Sequence, residues 1–430
     1  MKLSIKNIKY TVAAATLLFI SATITWAHDN YAIATRNYLT ADEDTTEAEP
    51  EDTISETEDP KGLAWPNNIK ARIDQLRKSS IFETSTVGMM VYDLTADSVI
   101  YSYNERQLMR PASTLKTIVA IAALDKLGGN YKYKTVMKHT GDVINGALQG
   151  NLYIKGGFDP MIDNNDLDTF IDSLKSMDID TIKGNIYADV SMKDTDRLGE
   201  GWCWDDDNPV LSPLLVSRED EFVERLANRL QRNKIVLEGD QKSARTPKNA
   251  RTICIVERNI DDVMHRMLKK SDNLYSESVF YQLAATDGTP ATARQGRNII
   301  NRLITKLGYK PSKYYIADGC GLSLYNYVTP ELEVSFLKYA YHHNDILLHL
   351  MQHLPIAGED GTLNDRMKKG YAHGNVHAKT GTVTGVSALA GYCNAANGHR
   401  LCFSIINMGI RHASSGRNFQ DRVCEALCRP

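Results

Sequence analysis

The stretch from Thr114 to Leu127 constrains the fold of this chain more than any other. Its apolar residues fall at Leu115, Ile118, Val119, Ala122, Ala123 and Leu127, the spacing of a helix face, and Gly128-Gly129 ends the run. Ser113 therefore stands at a helix N-terminus. Ahead of it, Ile69 to Lys78 reads as a helix and Thr86 to Tyr103 as two strands around a turn at Leu94-Thr95-Ala96-Asp97. After it, Tyr131 to Val190 reads as short strands with one helix, Asp166 to Met177, followed by a helix from Glu219 to Arg232 and strands from Ile235 to Cys254. Helical spacing returns over 260–270, 276–285, 291–307 and 330–353; residues 375–409 have strand character, and 420–427 close the chain as a helix. No internal repeat interrupts this order. It predicts an α+β architecture in which the last strands rejoin the first in one sheet, with residues 140–250 inserted into a split domain.

A chain of 430 residues, 42% hydrophobic and 24% charged, has enough apolar surface for one large domain or two ordinary ones, which excludes a disordered or fibrous protein. The net charge of -3 averages three unlike zones: residues 1–27 carry +3, residues 28–60 carry -10, and the remainder +4. That is no nucleic-acid footprint. Lys2, Lys6 and Lys9, the uncharged run Tyr10 to Ile24 and the triplet Thr25-Trp26-Ala27 have the three-part layout of a secretory signal cleaved after Ala27. The uncharged run is short for a bilayer span, which needs about 20 residues. No Cys follows the cut to carry a lipid, so a periplasmic or secreted protein is expected. Residues 28–62, acidic and poor in apolar side chains, read as a self-repelling linker, with the globular part at 63–139 and 251–430 around the insertion.

The seven cysteines are irregularly spaced and indicate neither a disulfide framework nor a zinc ribbon. If Asn397-Gly398 forms a tight two-residue turn, Cys393 faces Cys402 and a cross-strand disulfide is feasible. His349 and His353 have helical metal-ligand spacing but no third ligand, so they read as helix surface. Trp202 and Trp204, set among Gly and Asp, read as packing in a compact turn rather than as a sugar platform. Asp318 and Glu359 lie in loops and carry no assigned chemistry. Nothing in the sequence calls for a metal or a cofactor.

Three short patterns occur in order: Ser113-Thr114-Leu115-Lys116, Ser271-Asp272-Asn273 and Lys379-Thr380-Gly381-Thr382. Each is weak alone, and Ser102-Tyr103-Asn104 shows how easily a serine-any-asparagine triplet arises. Together they make chemical sense. Residues three apart share a helix face, so Lys116 can set its amine beside the Ser113 hydroxyl. That hydroxyl is a poor nucleophile until a base takes its proton, and burial and a second cation at Lys379 would keep the Lys116 amine neutral. Ser271 can relay a proton to a leaving amine, and Asn273 can bind a substrate carbonyl or fix Lys116. The Lys379 strand offers a cation and the hydroxyls of Thr380 and Thr382 to a substrate carboxylate, with Gly381 admitting close backbone approach. Backbone amides of Ser113 and Thr382 are natural oxyanion donors.

This set resembles the penicillin-recognising serine enzymes and, within them, the class C low-molecular-mass penicillin-binding proteins, the D-alanyl-D-alanine carboxypeptidase/endopeptidases. The resemblance spans 65–430 and includes Arg110-Pro111-Ala112-Ser113, Gly156-Gly157-Phe158-Asp159-Pro160, Gly201-Trp202-Cys203-Trp204, Asp318-Gly319-Cys320-Gly321-Leu322-Ser323, Pro355-Ile356-Ala357-Gly358 and His377-Ala378-Lys379-Thr380-Gly381-Thr382. It implies a split penicillin-binding, β-lactamase-like domain, an antiparallel sheet flanked by helices. It also implies a serine D,D-peptidase that removes terminal D-alanine from peptidoglycan stem peptides or cleaves their crosslinks, and is acylated by penicillins. By the same resemblance Asp159 matches the acid that recognises a free diaminopimelate amine. The inserted domain departs from the family pattern: 154 residues separate Lys116 from Ser271, and a third, nested subdomain is missing. A β-lactamase and a non-catalytic wall-binding protein remain as alternatives. The large insertion weighs against the first, and the intact Ser113, Lys116, Ser271, Asn273 and Lys379 against the second.

Overall fold

The computed structural model describes residues 62–204 and 208–430. The expected signal at 1–27 and nearly all of the acidic linker lie outside the described residues. Among the described residues, no helix is long and apolar enough to cross a membrane.

In chain order the first elements are α1 (Asn67–Leu76), α2 (Ile81–Thr84), β1 (Thr86–Asp93), β2 (Ser98–Tyr103), a 3₁₀ turn (Ala112–Thr114) and α3 (Leu115–Leu127). The middle holds β3 (Lys132–His139), β4 (Val143–Ile144), β5 (Ala147–Leu148), β6 (Leu152–Lys155), α4 (Asn164–Ser176), β7 (Thr181–Ile182), β8 (Ile186–Asp189), α5 (Phe222–Arg232), β9 (Val236–Leu237), β10 (Gln241–Ser243) and β11 (Arg251–Asn259). Then follow α6 (Ile260–Lys269), α7 (Asn273–Ala285), α8 (Ala293–Lys306), α9 (Pro330–Tyr341), α10 (Asn344–Met351), β12 (His377–Val383), β13 (Val386–Asn394), β14 (Arg400–Met408) and α11 (Ala413–Cys428).

The main sheet has the order β12-β13-β14-β1-β2 and is antiparallel throughout, so the last three strands do rejoin the first two. Both faces are covered. Met90 and Tyr92 of β1 point into the core that contains α3, α7 and α9, while Val87, Met89 and Val91 point into a second core with α1 and α11. The alternation is the period of two expected of a strand, here apolar on both sides because helices cover both. The middle segment builds a second sheet, β10-β8-β6-β3-β11, and a small one, β4-β5-β7-β9, around a core of its own that includes Met137, Phe170 and Phe222. The expected borders at 140 and 250 lie immediately after β3 and immediately before β11, two strands of this sheet that pair with each other.

Two expectations are corrected. The helix expected over 330–353 is two, α9 and α10, broken at His342-His343, with His353 beyond the end of the second. The β13–β14 connection is not a two-residue turn. Asn394 pairs with Arg400, and Ala395 N–H donates to the His399 carbonyl at 2.9 Å, so the register is one residue off the expected one. A one-residue slip turns a side chain to the opposite face. Cys393 therefore faces the α11 side and Cys402 the α3 side, and both are unbridged thiols.

Candidate active site

Helix α3 is buried on all sides, the mark of a helix that runs through a core rather than along a surface. Its first turn is therefore dry. Lys116 has no exposed surface, and burial pulls its pKa below the usual lysine value, outweighing the upward pull of Cys320, Asp318 and Glu277 nearby. Its Nζ lies 2.9 Å from Ser113 Oγ, 2.9 Å from Asn273 Oδ1 and 2.7 Å from the Cys320 carbonyl oxygen. The two carbonyl oxygens can only accept. A neutral amine has two N–H donors for them and one lone pair, which is left for the Ser113 hydroxyl proton. This shell suits a general base.

The second motif reaches the site because Asp272 caps α7, accepting from Leu274 N–H at 3.1 Å, which makes Asn273 the first helical residue. The Asn273 oxygen is committed to Lys116, leaving its NH₂ for a substrate carbonyl. Burial pushes the Asp272 carboxyl up, but Arg218 at 2.6 Å and Arg266 at 2.8 Å outweigh it and hold the pKa below the usual value. Ser271, just before the cap, is held in the left-handed region at φ 57°, a costly conformation for serine that points to a functional constraint. Its hydroxyl accepts from Lys379 Nζ at 2.8 Å.

The third motif lies on β12, the outermost strand of the main sheet, which runs beside the Ser113 turn. Gly381 is required there: a Cβ would sit 2.7 Å from the Pro111 carbonyl oxygen and 3.1 Å from the Ser113 backbone nitrogen. Lys379 is fully buried, and burial together with Lys116 drives its pKa well below the usual value. Thr380 Oγ1 meets Thr362 Oγ1 at 2.7 Å, and Thr382 is exposed. Ser113, Lys116, Ser271, Asn273, Lys379 and Gly381 are thus brought together, with Thr380 and Thr382 beside them on the same strand.

Sequence reasoning gave no role to the loop that completes the set. Asp318 accepts from Trp202 Nε1, the Gly321 and Ser323 amides and Asn326 Nδ2, all within 2.7–2.8 Å, and so fixes the turn that aims the Cys320 carbonyl at Lys116. Gly321, at φ 86°, lies so close to the nucleophile turn that a Cβ would come within 1.9 Å of the Ala112 carbonyl oxygen. Trp202 is thereby a buried structural residue and Trp204 an exposed one. Glu277, fully buried beside Asp318, is raised by burial and that neighbour to about 8. His349 and His353 both bond Asp261, at 2.8 and 3.2 Å, and His353 is buried rather than on the helix surface.

Asp159 is not bonded to the Ser113 cluster. Its turn packs on α7, where Ser278 donates to the Phe158 carbonyl at 2.6 Å. The carboxyl is 2% exposed and pushed up to about 6 by burial; Oδ1 accepts from Met161 N–H at 2.9 Å and Oδ2 faces Arg258 Nε at 3.5 Å without a hydrogen bond.

The chain also resembles known proteins. The chain matches the D-Ala-D-Ala carboxypeptidase 3 (S13) family over residues 69–218 and 216–429. It is 26% identical over 407 residues to the D-alanyl-D-alanine carboxypeptidase DacB of Haemophilus influenzae, covering 75% of this chain and 85% of that protein. The crystal structure of penicillin binding protein 4 from Haemophilus influenzae superposes with a TM-score of 0.74 at 23% identity, over 84% of this chain and 98% of that one. The same protein complexed with a β-lactam gives a TM-score of 0.68 at 23% identity, over 84% of this chain and 100% of that one.

Proposed function

The chain belongs to the D-Ala-D-Ala carboxypeptidase 3 (S13) family, and from that premise we propose that its serine D,D-peptidase activity runs through an acyl-enzyme on Ser113. Ser113 Oγ attacks the carbonyl of the penultimate D-alanine as Lys116 takes the hydroxyl proton. The oxyanion is held by the backbone amides of Ser113 and Thr382. Ser271, hydrogen-bonded to Lys379, gives its hydroxyl proton to the departing amine and is reprotonated with the proton Lys116 took, which leaves Lys116 neutral again; water then attacks the acyl-enzyme, Lys116 takes the proton of that water, and the proton passes to Ser113 Oγ as the ester bond breaks. Thr380, Thr382 and Lys379 receive the terminal carboxylate, and Gly381 keeps the strand close to the nucleophile. The single observation carrying this reading is the Lys116 shell of two carbonyl oxygens and the Ser113 hydroxyl.

The substrate is the stem peptide of peptidoglycan, either its terminal D-alanine or a D-alanyl crosslink. Penicillins present a strained amide to the same hydroxyl and stay bound as a penicilloyl ester. A protein that reaches the wall must be exported, in line with the leader-like pattern of residues 1–27. The direct test is D-alanine release from a D-alanyl-D-alanine pentapeptide, run beside a crosslinked dimer, with mass spectrometry after benzylpenicillin. Turnover together with a long-lived adduct is expected. Rapid adduct loss would mean a β-lactamase, and neither adduct nor turnover a non-catalytic scaffold.

The rate of Ser113 acylation should fall as pH falls. Lys116 must be neutral to act, and its pKa is lowered by burial, so the active form persists down to that lowered value and is lost below it. A rate that nowhere falls with pH while the protein stays folded would contradict a lysine base.

For Asp159 the family pattern supports a pair with the free amine of the third stem residue, which requires the Oδ2 atom now facing Arg258 to turn to the substrate. Asp159→Asn should then lower kcat/KM on peptides with a free diaminopimelate amine, by about 1–3 kcal/mol for a charge-assisted hydrogen bond. On a diacylated Lys-D-alanyl-D-alanine peptide, whose amines are blocked, it should change little. Equal losses on both substrates would reduce Asp159 to a turn residue.

A further inference from the structure

The mechanism makes no use of Glu333, a carboxyl with no exposed surface on α9, beneath the nucleophile turn. Thr114 Oγ1 lies 2.6 Å from Glu333 Oε1 and 2.7 Å from the Pro111 carbonyl oxygen. Ser404 Oγ of β14 lies 2.6 Å from Glu333 Oε2. A threonine hydroxyl has one proton, and the Pro111 carbonyl can only accept it. Once Thr114 donates to Pro111 and closes the turn, its short contact with Glu333 is a hydrogen bond only if the proton there comes from the carboxyl. No cation pairs with Glu333 among the described residues. Lys116 and Asp125 of α3 are engaged elsewhere, by Ser113, Asn273 and Cys320 and by Lys306 and Tyr339. Tyr92 of β1 bonds Asp97, Lys338 on the same helix lies over the Tyr92 ring, and Tyr392 of β13 bonds the Leu337 carbonyl. Cys402, two residues from Ser404, is a buried thiol, and Arg400 lies at the start of β14.

We propose that Glu333 is a positioning residue that works as a neutral carboxylic acid, donating to Thr114 and accepting from Ser404 so as to clamp the Pro111–Thr114 turn, and Ser113 with it, onto β14. This rests on the reading of Ser113 as nucleophile. Ala112 shows why the turn needs a clamp: it sits at φ 48°, where an alanine does not rest unaided. Burial raises the Glu333 pKa to about 7, so the proton is present below neutrality and is lost as pH rises past it. The folded-state value lies above the unfolded one, so the stability given by the neutral form is full below the ordinary carboxylate range and lost as pH rises through about 7.

The experiment measures thermal unfolding and the rate of Ser113 acylation by a fluorescent penicillin for the wild-type chain, Glu333→Gln and Glu333→Ala from acid to alkaline pH. Glutamine can donate to Thr114 and accept from Ser404 without titrating. Glu333→Gln should acylate like the wild type in acid, and the wild-type Tm should fall below that of the Gln variant as pH rises through neutrality. Glu333→Ala should acylate slowly at every pH, by about 10²-fold, the effect expected of a displaced nucleophile. Parallel Tm profiles for the wild type and Gln variant, or a Gln variant as slow as Ala in acid, would overturn the proposal. The Tm comparison needs only the wild type and the Gln variant, so it stands if Glu333→Ala fails to fold. It also stands if labelling at Ser113 fails, since it reads the proton on Glu333 and not the nucleophile.

Discussion

Ser113→Ala should end both D-alanine release and penicilloyl labelling while the Tm stays where it was. The change removes one half-buried hydroxyl from a 3₁₀ turn whose backbone is held by other groups: Thr114 to Pro111 and Glu333, and Gly381 and Gly321 packed against its amide and carbonyl. Lys116 keeps its bonds to Asn273 and Cys320, so no buried donor is orphaned by more than one contact. Among the described residues no other hydroxyl bonds Lys116, and Ser271 bonds Lys379 instead. The loss should approach that of deleting the nucleophile from other serine peptidases, on the order of 10⁶-fold in turnover. Intact-mass analysis after benzylpenicillin decides the matter: an adduct mapped to Ser271 or to any other serine would remove Ser113 from the mechanism.

How much of this was readable in the sequence depends on what kind of signal each feature leaves. Helix α3 was legible from its apolar spacing, and Ser113, Lys116, Ser271, Asn273 and Lys379 from side-chain types at fixed offsets. The Cys320 carbonyl was not, because a backbone acceptor has no residue signature; only the Asp318 carboxylate betrays it, and an Asp-Gly pair reads first as a turn. Glu333 was hidden for a related reason. A glutamate in a periodic helix looks like its solvated face, and only the tertiary packing of α9 against β14 shows that this one points inward. The β13–β14 register failed because Asn397-Gly398 suggests the commonest hairpin, whereas the connection spans 395–399. That single residue moved Cys393 to the opposite side of the sheet from Cys402. Which sheet β3 and β11 would join was likewise not legible: both alternate like any strand, and nothing local says which sheet a strand will join.

Lys116→Ala should be the next most damaging change after the loss of Ser113, and for a separable reason. The nucleophile remains, but its proton has nowhere to go within the dry first turn of α3, and general-base assistance is typically worth about 10²–10⁴-fold. The variant also leaves Asn273 Oδ1 and the Cys320 carbonyl without their donor, and relieves Lys379 of the neighbouring lysine that helps keep its pKa low. Lys379 should then hold its proton to higher pH, favouring carboxylate binding, so the defect should fall on the acylation rate rather than on affinity for the peptide. The space once filled by the side chain opens beside Ser113, so a small primary amine added to the assay should restore part of the acylation. That rescue should grow with pH as the added amine loses its proton, which a loss of stability alone would not reproduce. Stopped-flow acylation by penicillin, with and without ethylamine, measures both effects. Acylation at the wild-type rate without added amine would show that another group takes the Ser113 proton, and the assignment of Lys116 as base would fall.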